Sequence, residues 1–300
     1  MSTPSHVMLP DGRRLDIRVT GPKDGLLLVF HVGTWDAAVR FPQLELAARA
    51  HGLRLVTMSR PGYGDSTRHP GRRVVDVVPD AAAVLAALGA DRCLVGGWSG
   101  GGPHALACAA RLDAALAVFV IAGLAPYDCD DAEWASAMEA DSVWVFDLAL
   151  QGEDALRAEL TADREKMKDA TLADLMAADE SVPEADKATL AGEFGEWYVA
   201  SYREAVRNGV DGSLDDLLAF VKPWGFALDE VEIPTMLWHG TADLGLPVAH
   251  GRWLASRLPH ARFHLEEGEG HLSLVGALDR MLDELMVSVS EGDQPSPPRG

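Results

Sequence analysis

The feature that most constrains this chain is the passage from Cys93-Leu94-Val95-Gly96 through Gly97-Trp98-Ser99-Gly100-Gly101 into His104 to Arg111. An apolar run fit for a buried strand meets a glycine-rich turn, and the turn opens directly into an Ala- and Leu-rich helix. Within it, Gly97 to Gly101 has the G-x-S-x-G form of a nucleophile elbow, in which a sharp strand-to-helix turn pushes the serine out at the tip of a sheet. Glycines belong on both sides of Ser99 because a Cβ there would collide with so tight a turn. Pro103 falls in the first helical turn, where a missing N–H costs nothing. The pentapeptide alone is a weak signal, and its strand–turn–helix setting strengthens it.

The rest of the chain fits a parallel sheet around that elbow. His6 to Leu9 and Arg14 to Thr20 alternate as strands about an Asp11-Gly12 turn, and Leu26 to His31 is a continuous apolar strand. Arg40 to His51 has helical periodicity, Leu53 to Met58 is the next strand, and Asp76 to Leu88 the next helix. The elbow strand, its helix and the strand Leu116 to Ile121 follow. Alternation of this kind implies a parallel sheet with helices on both faces. From Pro126 the strand signal stops, and Asp131 to Gly152, Glu153 to Glu180, Glu184 to Asn208 and Ser213 to Val221 are predicted as acid-faced helices. Strand–helix alternation resumes with Thr235 to His239, Pro247 to Leu258, Arg262 to Glu266 and Leu272 to Val289.

Charge marks the same boundaries. The 300 residues carry a net charge of −20, and residues 126–230 hold 26 Asp or Glu against 8 Lys or Arg, a net of −18. The expected organisation is a core over 1–125 and 231–290, a helical cap over 126–230, and a disordered tail over 291–300. So acidic a chain is a poor partner for nucleic acid or anionic membrane. The start of the chain lacks an apolar targeting segment and no stretch approaches a membrane span, so a cytoplasmic protein is expected. Cys93, Cys108 and Cys129 have no metal-type spacing and read as reduced and mostly packed.

A serine hydroxyl is a poor nucleophile at neutral pH, so Ser99 needs a histidine base and that histidine a carboxylate. Asp243, in His239-Gly240-Thr241-Ala242-Asp243, and His271, in Gly268-Glu269-Gly270-His271, each follow a late strand. Both would emerge on the sheet edge that carries Ser99. Asp128, after the sixth strand, is the rival acid. His31 and His239 sit at strand ends as packing or hydrogen-bonding residues, and His104, one turn past the elbow, is expected on a helix surface, with the pocket as the alternative. Arg60 and Tyr63 are expected to anchor a loop below the site.

These motifs, together with Arg60-Pro61-Gly62-Tyr63-Gly64 and in this order, resemble the α/β-hydrolase superfamily from about Leu26 to Val289. The resemblance implies an α/β fold with a mostly parallel eight-stranded sheet, a lid after the sixth strand, no cofactor or metal, and acyl hydrolysis through a covalent acyl-enzyme. The family's oxyanion segment corresponds to Val32-Gly33-Thr34, with Trp35 and Asp36 where many members have Pro and Gly. Backbone amides of Thr34 and Gly100 are the expected oxyanion donors, with Gly33 the alternative to Thr34. Trp35 and Trp98 are expected to bind substrate, and Trp134, Trp144 and Phe146 are further pocket candidates. The reading is a serine hydrolase acting on a small or medium ester; oligomeric state is left open. The alternative is a ligand sensor with negligible turnover on the same fold. Lyase or cofactor-free oxygen chemistry is disfavoured by an intact Ser–Asp–His set, and aspartyl-nucleophile chemistry by serine at position 99.

Overall fold

The computed structural model describes residues 4–129, 138, 140–174 and 182–292. Eight strands form one sheet: β1 (Pro4–Met8), β2 (Arg14–Thr20), β3 (Leu27–His31), β4 (Arg54–Met58), β5 (Cys93–Trp98), β6 (Ala115–Ile121), β7 (Thr235–Gly240) and β8 (Ala261–Glu266). Their spatial order is β1-β2-β4-β3-β5-β6-β7-β8. β2 runs antiparallel to both β1 and β4, and the strands from β4 to β8 are mutually parallel. Gly12, at φ 88°, closes the β1–β2 hairpin. β3 and β5 are buried at every position, as their unbroken apolar runs require in a sheet covered on both faces.

The period of two sorts their side chains. Leu27 and Val29 join one core, with Ala81 and Val84 of α2 (Val77–Leu88) and Leu106 of α3 (Gly101–Arg111). Leu28 and Phe30 join the opposite core, with Leu44 of α1 (Pro42–Ala50) and Leu282 of the last helix. Parallel pairing aligns the strand ends: His31 lies opposite Gly97, and Trp98 opposite Ile121. The loops after β3, β5, β7 and β8 therefore open at one edge.

Between β6 and β7 the described residues contain helices and no strand: α4 (Ala140–Gln151), α5 (Glu153–Met167), α6 (Glu184–Leu190), α7 (Glu193–Ala205) and α8 (Asp211–Phe220). After β7 come α9 (Val248–Arg257) and, after β8, a 3-10 turn (Ser273–Ala277) and α10 (Leu278–Gly292). Three expected helices are broken, two where side chains take backbone amides and one at a close helix approach. The helix expected from Glu153 to Glu180 stops at Met167, because Thr171 and Asp174 cap each other's amides and start a new turn. The one expected from Glu184 to Asn208 divides at Gly192, where α6 and α7 approach so closely that a Cβ on Gly195 would strike the Leu190 carbonyl. The one expected from Leu272 begins as a 3-10 turn, since a carboxylate from α6 takes its first amides. The start of the helix expected at Asp131 and most of the expected tail lie outside the described residues, while α10 continues to Gly292. No described helix is long and apolar enough to cross a membrane.

Candidate active site

Ser99 sits between β5 and α3 with φ 55°, a left-handed backbone that few residues other than glycine adopt. The turn is held by the Ser99 N–H on the Ile121 carbonyl at 2.8 Å and the Gly102 N–H on the Ser99 carbonyl at 2.9 Å. A Cβ on Gly97 would lie 2.5 Å from the Gly101 carbonyl oxygen and 2.8 Å from Ala105 Cβ, so only glycine lets strand and helix meet this tightly. A Cβ on Gly100 would strike the Thr34 hydroxyl. The loops that carry Ser99 and Thr34 are thus pressed together.

His271, on the loop after β8, places Nδ1 2.8 Å from Oδ2 of Asp243, on the loop after β7. The Asp243 side chain is fully buried, and its Oδ1 accepts the Leu246 N–H at 2.8 Å. Burial opposes its charge, but the His271 ring and these bonds hold its carboxyl below the ordinary carboxylate range. Burial alone would lower the His271 pKa. Asp243, with Asp186 and Asp36 behind it, outweighs that and holds the imidazole above its ordinary value. Asp128 is exposed on the loop after β6.

Ser99 and His271 line one cavity of about 210 Å³, whose wall also includes Gly33, Thr34, Trp35, Asp36, Trp98 and Gly100. Its roof comes from the helical insertion, through Phe146 of α4, Tyr198 of α7 and Leu217 and Phe220 of α8. Among the loop amides, the Trp35 N–H donates to the Tyr63 hydroxyl at 3.3 Å and the Gly33 N–H is directed to the Asp36 carboxyl. The Thr34 N–H has no acceptor among the described residues. Gly100 opens α3, where a helix leaves its first amides without intrahelical partners. Trp98 is a wall behind the histidine: its indole N–H donates to the His271 carbonyl at 3.2 Å. Trp144 is half exposed on α4, and Trp134 lies outside the described residues.

The expected surface position of His104 is overturned. It is fully buried, with Nδ1 2.9 Å from the Gly100 carbonyl oxygen and Nε2 3.6 Å from Asp216. Burial, with Arg60 nearby, holds its pKa well below the ordinary value, so it stays neutral. α3 lies against the sheet along its whole inner length, and residue 104 faces that interior rather than solvent.

Two residues of the insertion reach the site's loops, and neither was singled out in the sequence. Asp186 of α6, 3% exposed, accepts the N–H groups of His271, Leu272 and Ser273 at 2.9, 3.0 and 2.8 Å. Asp216 of α8, fully buried, binds Arg60 at 2.6 Å, Arg72 at 2.7 Å and the Tyr63 hydroxyl at 2.8 Å. Arg60 donates onward to the carbonyls of Val32 and Gly33, which turns the next amide, that of Thr34, away from it. Arg60 and Tyr63 therefore anchor the loop after β3. Among the described residues, His51, Asp279 and Asp283 alone bring metal-type donors together, and none of them lines the cavity.

A serine in a left-handed strand-to-helix turn and a carboxylate-paired imidazole at one edge of a mixed eight-stranded sheet define a class. The chain belongs to the alpha/beta hydrolase fold family, whose model matches residues 26–277. It is 31% identical over 221 residues, 73% of its length, to a pimeloyl-[acyl-carrier protein] methyl ester esterase of Aromatoleum aromaticum, of which it covers 81%. Among solved structures it resembles a bromoperoxidase from Bacillus anthracis (TM-score 0.71, 19% identity, 96% of this chain and 100% of that one). It also resembles an esterase from Rhodococcus sp. ECU1013 (TM-score 0.67, 20% identity, 96% and 98%). These two likenesses are of fold.

Proposed function

We propose that the protein is a serine hydrolase that cleaves small or medium carboxylic esters through an acyl-enzyme on Ser99. The observation that carries this reading is the Asp243–His271 pair at 2.8 Å, sharing one cavity with a serine held in a left-handed elbow. The relative from Aromatoleum aromaticum, an esterase by name, supports the ester class. In the proposed reaction, Ser99 Oγ attacks the carbonyl carbon while its proton passes to Nε2 of His271, and Asp243 steadies the imidazolium. The amides of Thr34 and Gly100 receive the oxyanion, Thr34 being favoured over Gly33 because the Gly33 N–H is directed to Asp36. Collapse of the tetrahedral adduct breaks the bond to the leaving oxygen, which takes the proton from His271. Water then attacks the acyl-enzyme by the same route and releases the acid and free Ser99. The insertion serves as the cap, with residues 126–230 as its extent, and the cavity of about 210 Å³ suits a compact substrate.

The test joins labelling to turnover. A fluorophosphonate probe should modify Ser99 alone, and p-nitrophenyl esters of increasing chain length should be hydrolysed with a preference for short chains. Labelling at another serine removes the nucleophile assignment. Labelling of Ser99 without turnover of any ester would favour the sensor on the same fold.

A further inference from the structure

Asp36 is an acid for which the reaction above has no use. It is 4% exposed and lines the same cavity as Ser99 and His271. A Cβ placed on Gly33 would lie 2.7 Å from Oδ2 of Asp36 and 3.6 Å from Cβ of Ser99, so the carboxyl and the nucleophile flank a single glycine. Its nearest polar partners are the Ser201 hydroxyl and the Gly33 amide. No Lys, Arg or His among the described residues lies within ion-pair distance of it. Arg60 and His271 act on it only through space, the former being engaged by Asp216, Val32 and Gly33 and the latter by Asp243. A buried carboxyl without a cation is costly, and its ordinary fate is either a partner or a proton. Burial here raises its pKa to about 7.

The surroundings favour a positively charged partner from outside the chain. Trp35 and Tyr198 line the same cavity as Asp36, and the Tyr198 hydroxyl, held above its ordinary pKa first by burial, is held there also by the nearby Asp36 charge. Aromatic faces attract cations. The insertion above adds a net charge of −18 over residues 126–230, which disfavours anions at the mouth. We propose that Asp36, with the rings of Trp35 and Tyr198, forms a binding site for a protonated amine carried by the substrate, next to the ester to be cleaved. This deepens the ester-hydrolase reading and rests on it for the identity of the substrate, though not for the binding itself.

The experiment therefore has a binding arm and a kinetic arm. Calorimetry with n-butylammonium and 1-butanol, at salt high enough to screen surface acids, compares two probes of one shape and different charge. The wild type should bind the ammonium about ten- to a hundredfold more tightly, the range of a charge-assisted hydrogen bond. Asp36→Asn should bring the two probes level. Trp35→Leu should narrow the advantage of the ammonium over butanol, because the aromatic face is lost and the apolar wall is kept. In kinetics, an amine-bearing p-nitrophenyl ester should exceed its alkyl isostere in kcat/KM by a similar factor in the wild type and lose that advantage in Asp36→Asn. Equal affinity for the two probes in the wild type, or an ammonium preference that survives both substitutions, overturns the proposal. Ammonium binding of the expected strength without turnover of either ester, and without labelling of Ser99, would leave the amine site standing and remove the hydrolase reading.

Discussion

At the scale of single residues, three carboxylates act on one imidazole. Asp243 bonds to His271 directly, while Asp186 and Asp36 act from a greater distance, and together they raise the His271 pKa against the opposing effect of burial. A base must be neutral to take the Ser99 proton, so raising its pKa moves the rise of kcat/KM with pH upward. The acid limb should lie above 6.5, the ordinary histidine value, and should be unchanged by EDTA; a midpoint at or below 6.5 would contradict the pairing. Asp243→Asn should lower kcat by about three to four orders of magnitude with the fold kept, as the wrong tautomer becomes stable. Asp128→Asn, on an exposed loop, should leave kcat within a factor of two or so. Equal losses at the two positions would return the acid to the loop after β6. The placing of Ser99, Asp243 and His271 at one edge of the sheet was legible because each follows a strand and lies among glycines that a tight turn demands. Asp36, Asp186 and Asp216 were not. An acid near a helix start, such as Asp186, reads the same whether it meets solvent or another loop's amides, and only the packing of distant segments tells them apart. His104 was misjudged for the same reason, since one turn of helix does not say which flank a sheet will cover.

The described helices between β6 and β7 carry acids both toward solvent and toward the sheet. Their acids were legible as a solvated face, and most of them are one, but α6 sends one aspartate inward, Asp186, and α8 two, Asp215 to Arg68 and Asp216 to Arg60. Asp186 binds three consecutive amides of the His271 loop, and Asp216 fixes the Arg60 that holds the loop of Thr34. These are positioning residues, and Asp186 has an electrostatic signature that a merely structural residue lacks. Asp186→Asn keeps one oxygen for the amides and removes the charge, so the acid limb of kcat/KM should move to lower pH while KM changes less than kcat. The same substitution at Asp174, which caps its own turn on the surface, should leave the limb in place. A limb unmoved by Asp186→Asn would reduce that residue to a mechanical tie. The breaks at Thr171 and Gly192 belong to this scale too: local caps and a close helix crossing override a periodicity that reads as continuous.

For the whole molecule, the distribution of charge matters more than its total. With nearly all of the net −20 placed on residues 126–230, the field at the cavity mouth should discriminate between substrates before contact. A carboxylate-bearing ester should gain in kcat/KM as salt rises and an ammonium-bearing one should lose. Salt-independent ratios would mean that the acids of the insertion face away from the approach path. The α/β alternation and the place of the insertion were readable because apolar runs and turns are local. The seating of the insertion on the sheet was not, because it depends on buried ion pairs between residues some 150 positions apart, such as Arg60 and Asp216.

β6 and β7 are neighbours in the sheet, yet their pairing of Ile121 with Trp238 spans the entire helical insertion. The proposed nucleophile and oxyanion amides therefore belong to a stretch of chain that ends at β6, and the proposed acid and base to one that starts at β7. Cut within the insertion, the molecule would divide into one half that holds Ser99 and the Thr34 and Gly100 amides and another that holds Asp243 and His271, and on the proposed mechanism neither half would be active alone. Regain of esterase activity on mixing the two would report the closure of one strand pair, a reading of sheet assembly that requires no spectroscopic label.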